Sequence, residues 1–118
     1  MNIEELRNHC LSFKGTKEGF PFDNKTIVFS VKGKMFCLTD IEDFEQINLK
    51  CDPEKAIVLR ERYVDVIPGY HMNKKHWNSI KTNGKIPVEL IKEWIHDSYK
   101  LVVAGLSKKV QKELDEEV

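Results

Sequence analysis

The sequence has no surplus of charge of either sign. Its 118 residues include nineteen lysines and arginines and nineteen aspartates and glutamates, so the formal net charge is zero. Proteins that neutralise many phosphates usually carry a basic surplus. If this chain binds a nucleic acid, we therefore expect a local basic patch to do so.

Cysteine is scarce, and long apolar runs are absent. The three cysteines, Cys10, Cys37 and Cys51, form no C-x-x-C pair, which argues against a disulfide framework or a zinc knuckle. Each lies in an apolar-patterned segment, so we expect reduced, buried thiols. No apolar run approaches the ~20 residues of a membrane span. The charged start MNIEELRNHC lacks the apolar region of a signal peptide. We expect a cytoplasmic protein with no membrane partner.

The pattern of helix and strand signals predicts one α+β domain over residues 1–118. Capping residues and helical spacing predict helices that begin after Asn2, Asp52 and Ser107 and at Pro87. Alternating apolar residues predict strands in TIVFSV, MFCLT, QINLKC, VDVIP and WNSIKT, the first two joined by a hairpin turn at Lys32-Gly33-Lys34. The stretch KGTKEGFPFDNK is read as a loop or an irregular edge strand.

These elements predict a two-layer sandwich. We expect an antiparallel sheet of about five strands with helices packed on one face, because a sheet must bury one face against something. The expected order is α-β-β-β-α-β-β-α, followed by a short charged helix at the C-terminus.

The stretch PGYHMNKKHWNSI, residues 68–80, holds the densest set of chemically active side chains. His71 and His76 are five residues apart, whereas helical zinc ligands lie four apart with a glutamate between them. We therefore expect no metal site and no cofactor. A Cys37 or Cys51 thiol beside His76 is an enzymatic alternative. No nucleophile elbow or glycine-rich phosphate loop accompanies it, so we expect no enzyme.

Four segments in order resemble the MmcQ/YjbR family: KGKMFCL at 32–38, LKCDPEKA at 49–56, PGYHMNKKHW at 68–77 and SYKLVVAGL at 98–106. The resemblance covers nearly the whole chain, and H-x-N-K-x-H-W is its most specific element. It implies a two-layer fold similar to the CyaY-like and secretion-chaperone architecture. It also implies DNA binding, by fold-level analogy to a winged surface, and no agreed enzymatic activity or cofactor.

A structural interpretation of the stretch competes with a functional one. On the structural interpretation, Asn73 caps a turn, Trp77 anchors the core and the histidine rings satisfy backbone carbonyls. The family's signature turn then consists of Pro68, Gly69, His71, His76 and Trp77.

The functional interpretation is DNA binding by a basic patch on this turn and the two hairpins. Lysines position a protein on phosphates, and asparagine reads adenine. The candidate residues are Lys74, Lys75, Asn73, Asn78, Lys81, Lys85, Lys32 and Lys34. The acidic segments DIEDFE and DEEV would repel a duplex that they faced. The alternative is a protein-interaction module in which the sheet or an edge strand docks a partner. The sequence leaves the partner and the oligomeric state open.

Overall fold

The fold is an antiparallel sheet with its helices on one side. It was obtained as a computed structural model, which describes residues 1–70 and 72–117. Along these residues the elements are α1 (Ile3–Leu11), β1 (Thr16–Gly19), β2 (Thr26–Val31), β3 (Lys34–Asp40), β4 (Gln46–Lys50), α2 (Pro53–Arg62), β5 (Val66–Pro68), β6 (Trp77–Lys81), α3 (Val88–Ala104) and α4 (Lys108–Glu116). None of these helices has the length and apolarity needed to cross a bilayer.

The six strands of the described chain form one sheet in the order β1-β2-β3-β4-β6-β5. Every neighbouring pair is antiparallel. The expected α+β class is confirmed. The edge-strand alternative for KGTKEGFPFDNK is confirmed over Thr16–Gly19, which pairs with β2 and gives the sheet six strands where about five were expected.

Three of the four predicted helix starts are confirmed by side-chain caps, and α3 begins at Val88, one residue after the predicted Pro87. The Asn2 carboxamide oxygen accepts the Glu5 N–H at 2.9 Å, and the Asp52 carboxylate accepts the Lys55 N–H at 3.3 Å. The Ser107 hydroxyl accepts the Val110 N–H at 3.2 Å. Each cap satisfies an N–H that has no partner within the helix.

The two faces of the sheet bury different residues. The main core lies between the sheet and the helices, where Ile27, Phe29 and Val31 of β2 meet the apolar stripe of α3. A smaller cluster of Val28, Leu38 and Trp77 lies apart from this core. Val28 alternates with the core residues of β2, so this cluster lies on the open face of the sheet, opposite the helices.

The hairpin between β2 and β3 combines a tight turn with a bulge. Lys32 and Gly33 both have positive φ, 50° and 78°, as the turn that fits the twist of two strands requires. The pairing then shifts register, and Phe36 is the extra residue. The bulge lets two consecutive side chains, Phe36 and Cys37, enter the main core.

One helix side chain takes part in the sheet's hydrogen bonding. The ladder between β3 and β4 runs from Thr39↔Ile47 to Cys37↔Leu49. One step further, the Ser98 hydroxyl of α3 donates to the Phe36 carbonyl at 2.6 Å and accepts the Lys50 N–H at 2.9 Å. The buried serine therefore joins the two strands where their own ladder stops.

Candidate functional site

The signature turn between β5 and β6 is held by backbone hydrogen bonds. The Gly69 N–H donates to the Trp77 carbonyl at 2.8 Å, directly after Pro68, the last residue of β5. The Trp77 N–H donates to the Asn73 carbonyl at 3.0 Å, and the Asn73 carboxamide oxygen accepts the Lys75 N–H at 2.9 Å. A Cβ on Gly69 would lie 2.7 Å from the Trp77 Cβ, so glycine is needed there. The predicted roles of Gly69 and Asn73 are confirmed.

Trp77 anchors the chain, although outside the main core. Its side chain is 7% exposed and packs with Val28 and Leu38 on the open face, with Met35 and Met72 beside them. The anchoring role is confirmed, and the contact surface is the sheet face that no helix covers. The turn itself closes over the indole.

Of the two histidines predicted to satisfy backbone carbonyls, His76 is among the residues that the structure describes. His76 is half-buried, and its backbone carbonyl accepts the Cys51 N–H at 2.8 Å. Its backbone thus continues the pairing of β4 with β6, while the role proposed for its ring stays a prediction. His71 lies outside the described residues.

Strand register brings some of the candidate lysines together at one end of the sheet. Lys50, the last residue of β4, pairs with Trp77, the first of β6, and Lys34 begins β3 beside them. The turn that carries Lys74 and Lys75 precedes β6 at this same end. We call Lys34, Lys50, Lys74 and Lys75 the basic end. The sequence prediction had missed Lys50, whose place depends on the pairing of β4 with β6.

Lys81 and Lys85 lie apart from this group, so the candidate lysines do not form one patch, and the DNA contact predicted for these two stays a prediction. Lys81 pairs with Gln46, the first residue of β4, and lies about 13 Å along β6 from Trp77 at the usual rise per residue. The acidic segment DIEDFE ends at this point. The Lys85 N–H donates to the Asp65 carboxylate at 2.7 Å. These two lysines therefore lie among carboxylates at the opposite end of the sheet.

Two other candidate lysines have local partners. Lys32 forms an ion pair with Glu117. The Lys74 ammonium donates to the Gly69 carbonyl at 3.1 Å, and the Lys74 carbonyl accepts from Arg60 at 2.8 Å. Lys74 thus supports the turn as well as contributing charge.

Both asparagines proposed to read bases have hydrogen-bond partners within the protein, but only Asn78 is buried. Asn78 is 1% exposed because its place in β6 points it toward the helices. Its carboxamide donates to the Ala56 carbonyl at 3.3 Å and accepts from Arg60 at 3.2 Å. The prediction for Asn78 is therefore wrong, and Asn73 serves its own turn.

The cysteines are buried to different depths. Cys10 and Cys37 have no exposed surface. Burial, with a smaller effect of Cys10, raises the pKa of the Cys37 thiol well above its ordinary value. Cys51 is half-buried, and burial raises its pKa too, despite the opposing charges of Lys55 and Arg60. A raised pKa disfavours the thiolate at neutral pH, and the thiolate is the form that a Cys51–His76 pair would use as its nucleophile.

We expect thiol titration to confirm this inertness. In the folded protein at pH 7, Cys10 and Cys37 should react with Ellman's reagent at least ~100-fold more slowly than in guanidinium, because reaction requires the fold to open. Cys51 should react more slowly than free cysteine, and all three should react at once after unfolding. Immediate stoichiometric modification of Cys51 at pH 7 would contradict the raised pKa and favour the enzymatic alternative.

A groove between α2 and α3 was not anticipated from the sequence. It encloses a cavity of about 110 Å³ above β4 and β6. Apolar side chains dominate its walls, namely Leu49, Leu59, Ile80, Trp94 and Leu101. Its polar lining consists of Lys50, Cys51, Asp52, Lys55, Asn78 and Asp97. In the sequence, only the place of Leu101 in the apolar stripe of α3 pointed to this groove. In the structure its side chain is 37% exposed and lines the groove. Over the described residues, no three His, Cys, Asp or Glu side chains are arranged to hold a metal ion.

Comparison with known proteins identifies the fold and the family. The model of the YjbR family matches residues 11–101 of the chain. The chain belongs to the YjbR family. It is 43% identical to YbdF of Escherichia coli O157:H7 over 79% of this chain and 77% of that protein. It is 30% identical to YjbR of Escherichia coli K12 over 95% and 96% of the two chains.

Solved structures of similar proteins share this YjbR-family fold. The crystal structure of Deinococcus radiodurans protein DR2400 matches with a TM-score of 0.91 and 40% identity, over 97% of this chain and 88% of that one. A Pseudomonas syringae protein matches with a TM-score of 0.73 and 28% identity, over 86% and 98% of the two chains.

Proposed function

We propose that this YjbR-family protein binds DNA through the basic end, without reading its sequence. The observation that carries the proposal is the strand order: Lys34 begins β3, Lys50 ends β4, and the turn with Lys74 and Lys75 leads into β6, so all four lie at one end of three adjacent strands. At a spacing of about 4.8 Å between strands, these three strands span roughly 10 Å across the sheet. Although the chain has no net charge, its charges are separated along the strands. We expect this separation to give the basic end a positive potential that attracts phosphates.

Nearby carboxylates do little to cancel this potential. The Asp97 carboxylate is shared by Lys55 at 3.2 Å and Lys100 at 3.6 Å, and the Asp52 carboxylate caps α2. Lys34, Lys50 and Lys75 form no ion pair within residues 1–70 and 72–117. Because Asn78 is buried and the Asn73 carboxamide oxygen already accepts the Lys75 N–H, we expect phosphate contacts to dominate over base readout.

The salt dependence of binding tests this proposal. With three or four phosphate contacts, the affinity for a labelled duplex should fall by about 40- to 150-fold between 50 and 200 mM salt. The double variant Lys74→Gln, Lys75→Gln should weaken binding at 50 mM salt and lower the slope of log K against log salt by about 2. Fluorescence anisotropy measures both quantities.

A double variant with the same charge change provides the control. Lys81→Gln, Lys85→Gln removes two charges at the opposite end and should leave the salt slope unchanged. Equal losses in the two double variants would show that binding is spread over the surface. No anisotropy change at 50 mM salt would refute the proposal.

The open face favours a second candidate, the docking of a basic peptide segment with apolar side chains. Phe20, Ile67 and Tyr70 are 47%, 45% and 59% exposed around this face, which is unusual for large apolar side chains. Beside Tyr70 is a cleft whose lining includes Asp40, Asp43 and Glu45, and these carboxylates favour a cationic partner. If peptide docking is the function, we expect no DNA binding at 50 mM salt. We then expect a peptide that contains lysine and phenylalanine to bind, and Glu45→Gln to weaken that binding.

A further inference from the structure

The groove between α2 and α3 has the size and the lining of a site for one small apolar group. Its apolar walls come from both strands beneath it and from both helices, namely Leu49, Ile80, Leu59, Trp94 and Leu101. In another protein, an apolar cavity of about 150 Å³ stays dry and accepts one benzene ring. The cavity of about 110 Å³ is of the same order, so it has room for one small ring.

The charged residues of the lining balance one another. Two lysines and two aspartates belong to it, so its formal charges sum to zero: Lys50, Lys55, Asp52 and Asp97. The Lys55 ammonium of α2 lies 3.2 Å from the Asp97 carboxylate of α3. The Asp52 carboxylate accepts the Lys55 N–H at the positive end of α2, where the helix dipole offsets its charge. Three of these four groups are therefore already matched.

The fourth group, the Lys50 ammonium, belongs to the other face of the sheet. Lys50 pairs with Trp77 between β4 and β6, and directly opposite residues project from the same face. Because Trp77 packs in the cluster on the open face, the Lys50 side chain points away from the groove. Lys50 borders the groove through its backbone, whose N–H donates to the Ser98 hydroxyl at 2.9 Å.

The uncharged polar groups of the lining also have partners or stay neutral. The Asn78 carboxamide donates to the Ala56 carbonyl at 3.3 Å and accepts from Arg60 at 3.2 Å. Burial raises the pKa of the Cys51 thiol, which favours its uncharged form at neutral pH. A charged ligand entering this groove would lose its water in exchange for groups that are already paired, which costs free energy. The lining therefore favours a ligand without charge.

We propose that this groove binds a small neutral apolar molecule, a single ring of about six carbon atoms. The ring enters beside Leu101, which is 37% exposed at the groove, and lies against Trp94. Tyr63 holds the Trp94 indole in an edge-to-face contact, with ring centroids 5.3 Å apart, and so gives the cavity a fixed wall.

The protein's two tryptophans allow a direct test. Trp94 lines the cavity, whereas Trp77 lies in the separate cluster on the open face. Titration with benzene should shift the Trp94 indole N–H signal in a ¹H–¹⁵N NMR spectrum and leave that of Trp77 in place. For a ligand of this size we expect a dissociation constant of about 1 mM. Benzoate and protonated benzylamine, which add a charge of either sign to the same ring, should each bind at least ~5-fold more weakly.

Three variants separate the cavity from the charges around it. Leu59→Trp should fill the cavity and lower the affinity for benzene at least ~10-fold. Ile57→Trp makes a similar change on the same helix, at a side chain that is 49% exposed and does not line the cavity, and should leave the affinity unchanged. Lys55→Gln should keep it within ~2-fold, because a neutral ligand makes no ion pair.

The proposal is overturned if benzene leaves the Trp94 signal unmoved at 10-fold the expected dissociation constant, or if both indole signals move together. Benzoate or benzylamine binding as tightly as benzene would overturn the assignment of a neutral ligand. Unchanged affinity in a folded Leu59→Trp protein would overturn the location. If that variant unfolds, Leu101→Phe takes its place, since its larger ring lies at a partly exposed position and should lower the affinity at least ~3-fold. The titrations contain no DNA, so their result is separate from that of the proposed function.

Discussion

Replacing Trp77 with alanine should lower the free energy of unfolding by about 3–5 kcal/mol. Trp77 is 7% exposed and packs with Val28 and Leu38, where no helix is available to fill the space. The signature turn also closes around this residue, through the Gly69 N–H and Asn73 carbonyl bonds to its backbone. Because small domains are stable by only about 5–15 kcal/mol, the variant should be close to unfolded at room temperature. Urea denaturation followed by circular dichroism measures the loss.

A second aromatic side chain serves as the control. Phe22 is 63% exposed, so Phe22→Ala should change stability by no more than ~0.5 kcal/mol. Trp77→Phe keeps much of the apolar surface and should fall between wild type and Trp77→Ala. A Trp77→Ala protein that unfolds at the wild-type urea concentration would show that the small cluster contributes nothing to stability.

Ser98→Ala is expected to lower the free energy of unfolding by about 2–4 kcal/mol, although it removes a single oxygen atom. The Ser98 hydroxyl satisfies both the Phe36 carbonyl and the Lys50 N–H where the ladder between β3 and β4 has ended. Its loss leaves two backbone groups beneath α3 without partners, each costing about 1–3 kcal/mol. The change is measured by the same urea titration.

A solvent-exposed serine provides the comparison. The Ser12 hydroxyl donates to the His9 carbonyl at 2.6 Å in an exposed setting, so water replaces it in Ser12→Ala. That variant should lose less than ~1 kcal/mol. Equal losses in the two variants would mean that β3 and β4 close the gap by pairing with each other.

Much of the fold could be predicted from the sequence, because helix caps and the alternation of apolar residues in strands each depend on only a few neighbouring residues. The caps Asn2, Asp52 and Ser107 and the two faces of β2 are as expected. The edge strand β1 was harder to predict, because TKEG has no apolar alternation. Its pairing with β2 makes it a strand.

The candidate site was only partly predictable, because it depends on register between distant segments. Lys81 follows the signature stretch closely in sequence, but the direction of β6 carries it to the acidic end. Asn78 is buried because α2 and α3 cover the face of the sheet on which it lies. The sequence of β6 shows two alternating faces but does not show which of them the helices cover. Lys50 joins the basic end through pairing with β6, which no local pattern shows.

The composition of β1 has a consequence for self-association. A second copy could extend the sheet only along an edge strand, and β1 is one of the two edges. Suppose that the β1 strands of two copies paired about a twofold axis, with the helices of both copies on the same side of the joined sheet. Odd-numbered residues of one strand would then face odd-numbered residues of the other, and even-numbered residues would face even-numbered ones. Lys17 would then oppose Lys17, or Glu18 would oppose Glu18, in the closest registers. At the other edge, β5 is three residues long and ends at Pro68, which has no N–H to donate. Both edges thus oppose the growth of chains into fibrils through an extended sheet.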